Sequence, residues 1–494
     1  MAIFAIAISI AGLGPDPFGI LTLVWVILGY LVILDFGRGK AIIPYVARES
    51  SQGSSGSERA IVRTAVMAQC LFGVAVAVFF STPFLATEVL GVPEGYVHET
   101  ETAFSWLALS LPIVLVMNVA HGVLEGADRF GLVAAINIPT NSAAFLFPAA
   151  GVSLSLGLVE IISILLARLG ALLAFIYLSN NIVPWIGAGG PFQLQALRDM
   201  AAFGGWVTVT SVIGPILVYL DRFLIASLLA ISAVPYYIIP FEVATRLLIV
   251  PSALLVALFP AFSSLGPEGE GDHLPAIFSR SFKFILLALG PAVVVLALFS
   301  REVLSFWVGS EVAKGSAGVM SILVMGVLAN ALAYMSYSYL QGSGRPDLTG
   351  KIHFAEFVVY VFLAWFFVKQ WGIEGAAAVW ALRALVDCVL LYTASVSLKK
   401  IGVEFLTSTA IPQTAVALAV LAGVLAGISG VLGPQEWYLQ VIVVGVVNSA
   451  FGAYAWVKLL DATDRAPVVA VARARCWRRR VKALEGVSND VRDG

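Results

Sequence analysis

The sequence predicts an all-α polytopic membrane protein, and three observations carry that reading. Of 494 residues, 60% are hydrophobic and only 12% charged, about half the ~25% charged share of a soluble domain. Apolar runs of at least ~18 residues, the length of a membrane helix, recur along the chain, and the mean hydropathy is +0.95. A polar motif, L-x-G-x-x-R, occurs twice in the same hydropathy context. Its copies are Leu124-Glu125-Gly126-Ala127-Asp128-Arg129 and Leu340-Gln341-Gly342-Ser343-Gly344-Arg345, 216 residues apart. Each copy closes one apolar segment and opens another, so each reads as a short turn between two membrane helices. Gly126 and Gly342 would let the chain turn, and Arg129 and Arg345 would stay at the water boundary within reach of phosphates. Matching turns in matching surroundings indicate two similar halves, a common plan in transporters.

The spans follow in order. Residues 1–12 are apolar but short of the ~20 needed to cross a bilayer core, so the first helix is expected to be truncated or to enter partway. A Gly/Pro turn, 14–19, leads to a second span near 19–47 that carries Asp35, Arg38 and Lys40. A Ser/Gly loop precedes the third span (60–82), and an acidic connection without Lys or Arg (83–103) precedes the fourth (104–122). The fifth and sixth lie near 131–150 and 154–178, giving an N-lobe over 1–183. A Gly/Pro-rich connector (184–200) separates it from a C-lobe over 201–400. Spans in that lobe are expected near 201–229, 234–262, 280–300, 317–341, 350–370 and 375–398. Two additional spans within 401–460 bring the total to fourteen, and a basic tail occupies 461–494.

The lysines and arginines set the orientation. With the N-terminus inside, 22 of the 29 fall on the cytoplasmic side, and only Arg301, Lys314 and Lys369 fall opposite. That asymmetry predicts both termini in the cytoplasm. Both L-x-G-x-x-R turns then lie on the cytoplasmic side six spans apart, so the halves are expected as parallel repeats. The tail segment from Arg473 to Arg480 mixes arginines with Trp477 and suits anionic lipid head groups. No basic leader with a small-residue cleavage site opens the chain, so no cleaved signal peptide is expected. The three cysteines, Cys70, Cys388 and Cys476, lack C-x-x-C spacing and read as small hydrophobes.

Charges within apolar spans are the candidate functional groups, because one at mid-bilayer costs about 2.5–3.5 kcal/mol on insertion scales. Asp221-Arg222 is the clearest case. Adjacent helical residues point about 100° apart and make a poor pair. Arg222 could line a cavity and bind an anionic head group, with Asp221 orienting it or taking a cation; equally, both could bond to neighbouring helices. Glu242 and Arg246 are spaced i,i+4, as are Arg383 and Asp387, and that spacing permits a neutralised pair on one helix face. The pair reading is preferred for Arg383 and Asp387; for Arg246 a site role stays open, with Glu242 and Asp221 as ion-coupling candidates. Arg38 and Lys40 serve either as interfacial anchors or as phosphate ligands at a cavity mouth. A guanidinium grips phosphate through a two-pronged fork, which suits a diphosphate. Glu160, Arg168 and Glu356 have no partner visible in sequence. His121 and His353 read as interfacial hydrogen-bonders.

Several classes are excluded by what is missing. No G-x-x-x-x-G-K-[ST], H-E-x-x-H, G-x-S-x-G or D-x-D motif occurs, and no loop between spans is long enough for a catalytic domain. The chain is read as a non-enzyme without cofactor or metal and without nucleic-acid binding.

Taken together, Gly14-Pro15-Asp16-Pro17-Phe18-Gly19 with Leu34-Asp35-Phe36-Gly37, the turn Leu124–Phe130, Asp221-Arg222-Phe223-Leu224-Ile225, Pro251 through Pro260, Gly342–Pro346 and Gly372–Ala377 resemble the bacterial polysaccharide-repeat-unit flippases. Those proteins belong to the multidrug/oligosaccharidyl-lipid/polysaccharide exporter superfamily. The resemblance runs from about residue 12 to 460. It implies two six-helix lobes about a central cavity, alternating access, and transfer of undecaprenyl-diphosphate-linked oligosaccharide across a bacterial inner membrane. Arg222, Arg246 and Lys40 would then hold the diphosphate, in a monomer working with membrane lipids and with surface-glycan polymerase machinery as candidate partner. An ion-coupled small-molecule antiporter of the same fold and a membrane glycan polymerase or ligase are the rival readings. The opening departs from the family in lacking a basic amphipathic lead-in.

Overall fold

The computed structural model describes residues 2–23, 46, 56–80, 95, 97–127, 129–153, 160–182, 205–252, 274–343, 345–397, 410–431, 437–461 and 464–465. Their regular structure is helical throughout. Among the described residues the helices with both ends given run in order: α1 Ala2–Leu13, α2 Gly56–Phe80, α3 Val97–Gly126, α4 Phe130–Ser153, α5 Glu160–Ile182, α6 Gly205–Leu228, α7 Val234–Arg246, α8 Leu274–Leu298, α9 Ser300–Val308, α10 Ser310–Gly342, α11 Pro346–Ser397, α12 Ala410–Val431 and α13 Trp437–Tyr454. Eight helical segments among the described residues are long and apolar enough to cross a bilayer. The protein is a polytopic all-α membrane protein. The second expected span lies mostly outside the described residues, as do the connector 184–200 and most of the basic tail.

Individual helices agree with the hydropathy reading and extend it. The 52 residues of α11 form two arms, because Gly372 has φ +60° and breaks the helix between them. An L-residue with a side chain avoids that region, and the break falls between the two spans expected at 350–370 and 375–398. Ser300–Val308 forms a separate short helix, α9, where a loop was expected; Ser300 and Leu304 face inward while Phe306 is 90% exposed. Pro112, Pro240 and Pro291 sit inside helices, which neighbouring helices in a membrane tolerate.

The described chain packs as two units, one of residues 1–272 with 299–400 and one of 273–298 with 401–494. In the first, α10 packs along α11, α11 along α6, and α3 against α2 and α5. Lipid offers no hydrophobic drive for such contacts, so close van der Waals approach matters more. Glycine permits it: a Cβ on Gly73 would lie 2.6 Å from Pro112 Cα, and one on Gly326 2.7 Å from Ala381 Cα. In the second unit α8 packs against α12, and α12 against α13. A five-residue π-turn, Ala455–Leu459, ends α13.

The two echo turns share their main hydrogen bonds. The Arg129 amide donates to the Leu124 carbonyl at 2.9 Å, and the Arg345 amide to the Leu340 carbonyl at 2.9 Å. The Arg129 and Arg345 carbonyls then accept from Leu132 (3.0 Å) and Leu348 (3.2 Å) at the start of the next helix. Gly126 and Gly342 are the last helical residues of α3 and α10, and neither has positive φ. The reversal of direction therefore comes after these glycines, a correction to their expected role at the bend itself.

Candidate functional site

The clearest buried polar site lies where α6, α7 and α11 meet. It starts from Asp221 and Arg222, adjacent on α6 and respectively 0% and 1% exposed. Their nitrogen–oxygen separation is 3.6 Å, loose for an ion pair, as their angular offset on a helix predicts. Each instead takes partners from elsewhere. One Asp221 oxygen accepts the Arg222 backbone amide at 2.9 Å, and the other accepts the Tyr237 hydroxyl from α7. Arg222 Nη1 donates to the Val218 carbonyl at 2.6 Å. Its guanidinium carbon lies 4.7 Å from the Tyr219 ring centre and 4.3 Å from that of Phe241. Ring faces stabilise a desolvated cation by about 2 kcal/mol. Among the described residues Arg222 Nε has no hydrogen-bond partner. An anion would reach this guanidinium only after the aromatic clasp opened.

The aromatic faces continue into α11. Phe241 stacks on Tyr237 and meets Trp380 edge-on at 5.3 Å. The Arg383 guanidinium lies 5.9 Å from the ring centres of both Trp380 and Tyr360. Sequence reasoning did not find Tyr237, Phe241, Tyr360 or Trp380. The aromatic pair Tyr236-Tyr237 directly after the short α6–α7 connection was the available signal.

The expected Arg383–Asp387 pair does not form. Arg383 Nη1 instead lies 3.8 Å from Glu356, on the other arm of α11, and Asp387 lies 3.4 Å from His353 Nε2. Successive turns of one helix gave way to contacts across the hairpin, because the arms run antiparallel about Gly372 and bring 353–356 opposite 383–387. Glu356 thereby gains a partner the sequence did not show. His353 also stacks on Tyr337 of α10, ring centres 6.1 Å apart.

The remaining candidates divide. Arg246 ends α7 with its side chain 51% exposed, and its Nη2 binds Glu242 at 2.7 Å, the i,i+4 pair that the spacing permits. Arg345 clasps Asp347 with Nε at 2.9 Å and Nη2 at 3.2 Å. Arg129 is exposed at its turn, and in the preceding helix Glu125 lies 3.3 Å from His121. Arg38 and Lys40 lie outside the described residues, as do the side chains of Glu160 and Arg168. Among the described residues no group of three metal-ligating side chains occurs.

Inside this many-span bundle, aromatic faces hold the buried arginines, while the carboxylates take hydrogen-bond donors and basic side chains as neighbours. Solved transporter structures share the fold. An inward-facing multidrug resistance transporter of the MATE family matches with TM-score 0.68 and 15% identity, over 81% of this chain and 95% of that one. The lipid II flippase MurJ, in an inward closed conformation, matches with TM-score 0.68 and 14% identity, over 92% and 99%. The polysaccharide biosynthesis protein family matches residues 13–317, more than half of the chain, and the chain belongs to that family. A protein of Shigella flexneri named as an O-antigen transporter is 29% identical over 395 residues, 79% of this chain and 92% of the relative.

Proposed function

We propose that the protein is a flippase that carries undecaprenyl-diphosphate-linked oligosaccharide from the inner to the outer leaflet of a bacterial inner membrane, for surface polysaccharide synthesis. Both termini are cytoplasmic in this reading, fourteen spans cross the membrane, and residues 1–183 and 201–400 are the lobes that alternate access. The observation that carries it is the 29% identity to the O-antigen transporter across 92% of that relative's length, joined to the family match. In the binding step Arg246, half exposed at the end of α7, meets the diphosphate with Arg38 and Lys40. Arg222 joins them when its clasp opens. Of the ion-coupling candidates, Asp221 accepts from the Tyr237 hydroxyl and the Arg222 backbone amide, and Glu242 is paired with Arg246.

The test uses vesicles containing the purified protein and a fluorescent oligosaccharide on undecaprenyl diphosphate. A membrane-impermeant quencher reads the label in the outer leaflet. Protein-dependent equilibration between leaflets is expected; equilibration no faster than in empty vesicles would refute the reading. Efflux of cationic dyes in its place would favour the antiporter.

A further inference from the structure

Two carboxyl groups sit inside the α11 hairpin. Glu356 on the first arm and Asp387 on the second are each 6% exposed. Each has a side chain from the opposite arm beside it, Arg383 for Glu356 and His353 for Asp387. Yet among the described residues neither Glu356 oxygen, nor Asp387 Oδ1, accepts a hydrogen bond from any fixed N–H or O–H. Two ionised carboxylates have no donor to offer, whereas a proton on one of them supplies the O–H that these oxygens lack.

The surrounding charges agree. Arg383 lies 3.8 Å from Glu356, and His353 lies 3.4 Å from Asp387. Among the described residues, Tyr337 from α10 and Cys388 and Tyr360 from the two arms also lie near them. From α6, Asp221 also feels Arg383, but it is already bound by Arg222 and Tyr237. Two ionised carboxylates facing one guanidinium would leave a net negative charge inside the membrane, where an unbalanced charge costs about 2.5–3.5 kcal/mol. One shared proton makes the cluster neutral with His353 uncharged. A metal ion fits worse, because the guanidinium already occupies the cationic position.

We propose that Glu356 and Asp387 form a proton-binding site that couples the transport cycle to a proton gradient. One O–H bond at the carboxyl pair breaks, the proton passes to water, and the two negative charges left behind face Arg383 and His353. Rebinding reverses the step. Proton binding stands on the geometry of the hairpin; its use to drive translocation rests on the flippase reading.

Infrared difference spectra of the full-length protein in lipid vesicles test the binding. A protonated carboxyl shows a carbonyl stretch that shifts in heavy water. The wild type is expected to show this band at neutral pH and to lose it as the pH is raised. Glu356→Gln and Asp387→Asn should each lose it at neutral pH, whereas Glu311→Gln, at an exposed carboxyl, should keep it. Absence of the band in the wild type, or its survival in both variants, would overturn the proposal. Absence of the band from the wild type overturns the proposal even if a variant fails to fold. The spectrum involves no glycan, so it can fail independently of the flippase assay. In that assay an imposed pH gradient should accelerate the wild type and not Asp387→Asn; equal acceleration would remove the coupling role.

Discussion

Arg222 and Arg246 show two ways for a membrane helix to keep a guanidinium, with different consequences on mutation. Arg222 is desolvated and balanced by Asp221, so removing it leaves a buried carboxylate with the Tyr237 hydroxyl but no cation. Breaking a buried pair from one side costs about 3–5 kcal/mol. Arg222→Met is therefore expected to lower the thermal midpoint in detergent and to abolish glycan export. The double variant Asp221→Asn/Arg222→Met separates the causes, because it removes both charges together. It should recover most of the stability while export stays lost if Arg222 meets the substrate; recovery of both would make the pair structural. Arg246 is half exposed, and an exposed i,i+4 pair is worth about 0.3–0.5 kcal/mol. Arg246→Ala should leave the midpoint nearly unchanged and reduce export, read as surface polysaccharide per unit of protein.

At the scale of elements, the second unit is closed by one buried carboxylate. Asp464, 1% exposed, accepts from Arg280 Nε at 2.8 Å and from Lys283 of α8, tying the end of the α13 segment to α8. Burial pushes its carboxyl up, but hydrogen bonds from Lys283 and the Asp461 backbone outweigh that and hold it below the ordinary range. A depressed carboxylate stabilises the fold above its unfolded value of about 3.9 and loses that contribution as the pH falls through the folded value. The thermal midpoint plotted against pH should therefore show a transition starting near pH ~4 and extending lower. Asp464→Asn should remove the transition and lower the midpoint at neutral pH. Sequence could not foresee this clasp, because Arg280 and Lys283 read equally well as interfacial anchors. The same limit explains the α11 hairpin. Hydropathy marked both arms as separate spans, and the structure puts the break between them at Gly372. The i,i+4 rule then preferred Arg383–Asp387, since a one-dimensional pattern gives no distance between helices. Where the signal was local, as in L-x-G-x-x-R, both turns repeat the same hydrogen bonds; where it depended on helix faces, as for Tyr237, Phe241 and Trp380, it was invisible.

For the whole molecule, the contact that matters most joins the beginning of the chain to its middle. Helical residues 15–23 follow Gly14, and a Cβ on Gly19 would collide with the carbonyl oxygen of Ile231, in the short connection between α6 and α7. Phe18, Ile20, Leu21 and Leu23 are all at most 1% exposed around it. The proposed N- and C-lobes therefore touch here backbone to backbone, at the end of α6 that the lysine and arginine distribution assigns to the outer face. A transporter that alternates access must break such a contact in each cycle, and a packed interface opens between discrete states rather than by gradual strain. Gly19→Leu cannot be accommodated by moving a flexible side chain, because the obstacle is main chain. Its expected effect is to bias the protein toward the state in which this end is open. On a cysteine-free background, Ser232→Cys should react slowly with a membrane-impermeant maleimide when residue 19 is glycine and several-fold faster when it is leucine, while translocation falls. Equal labelling rates would mean that this approach of the two lobes does not change with the transport state.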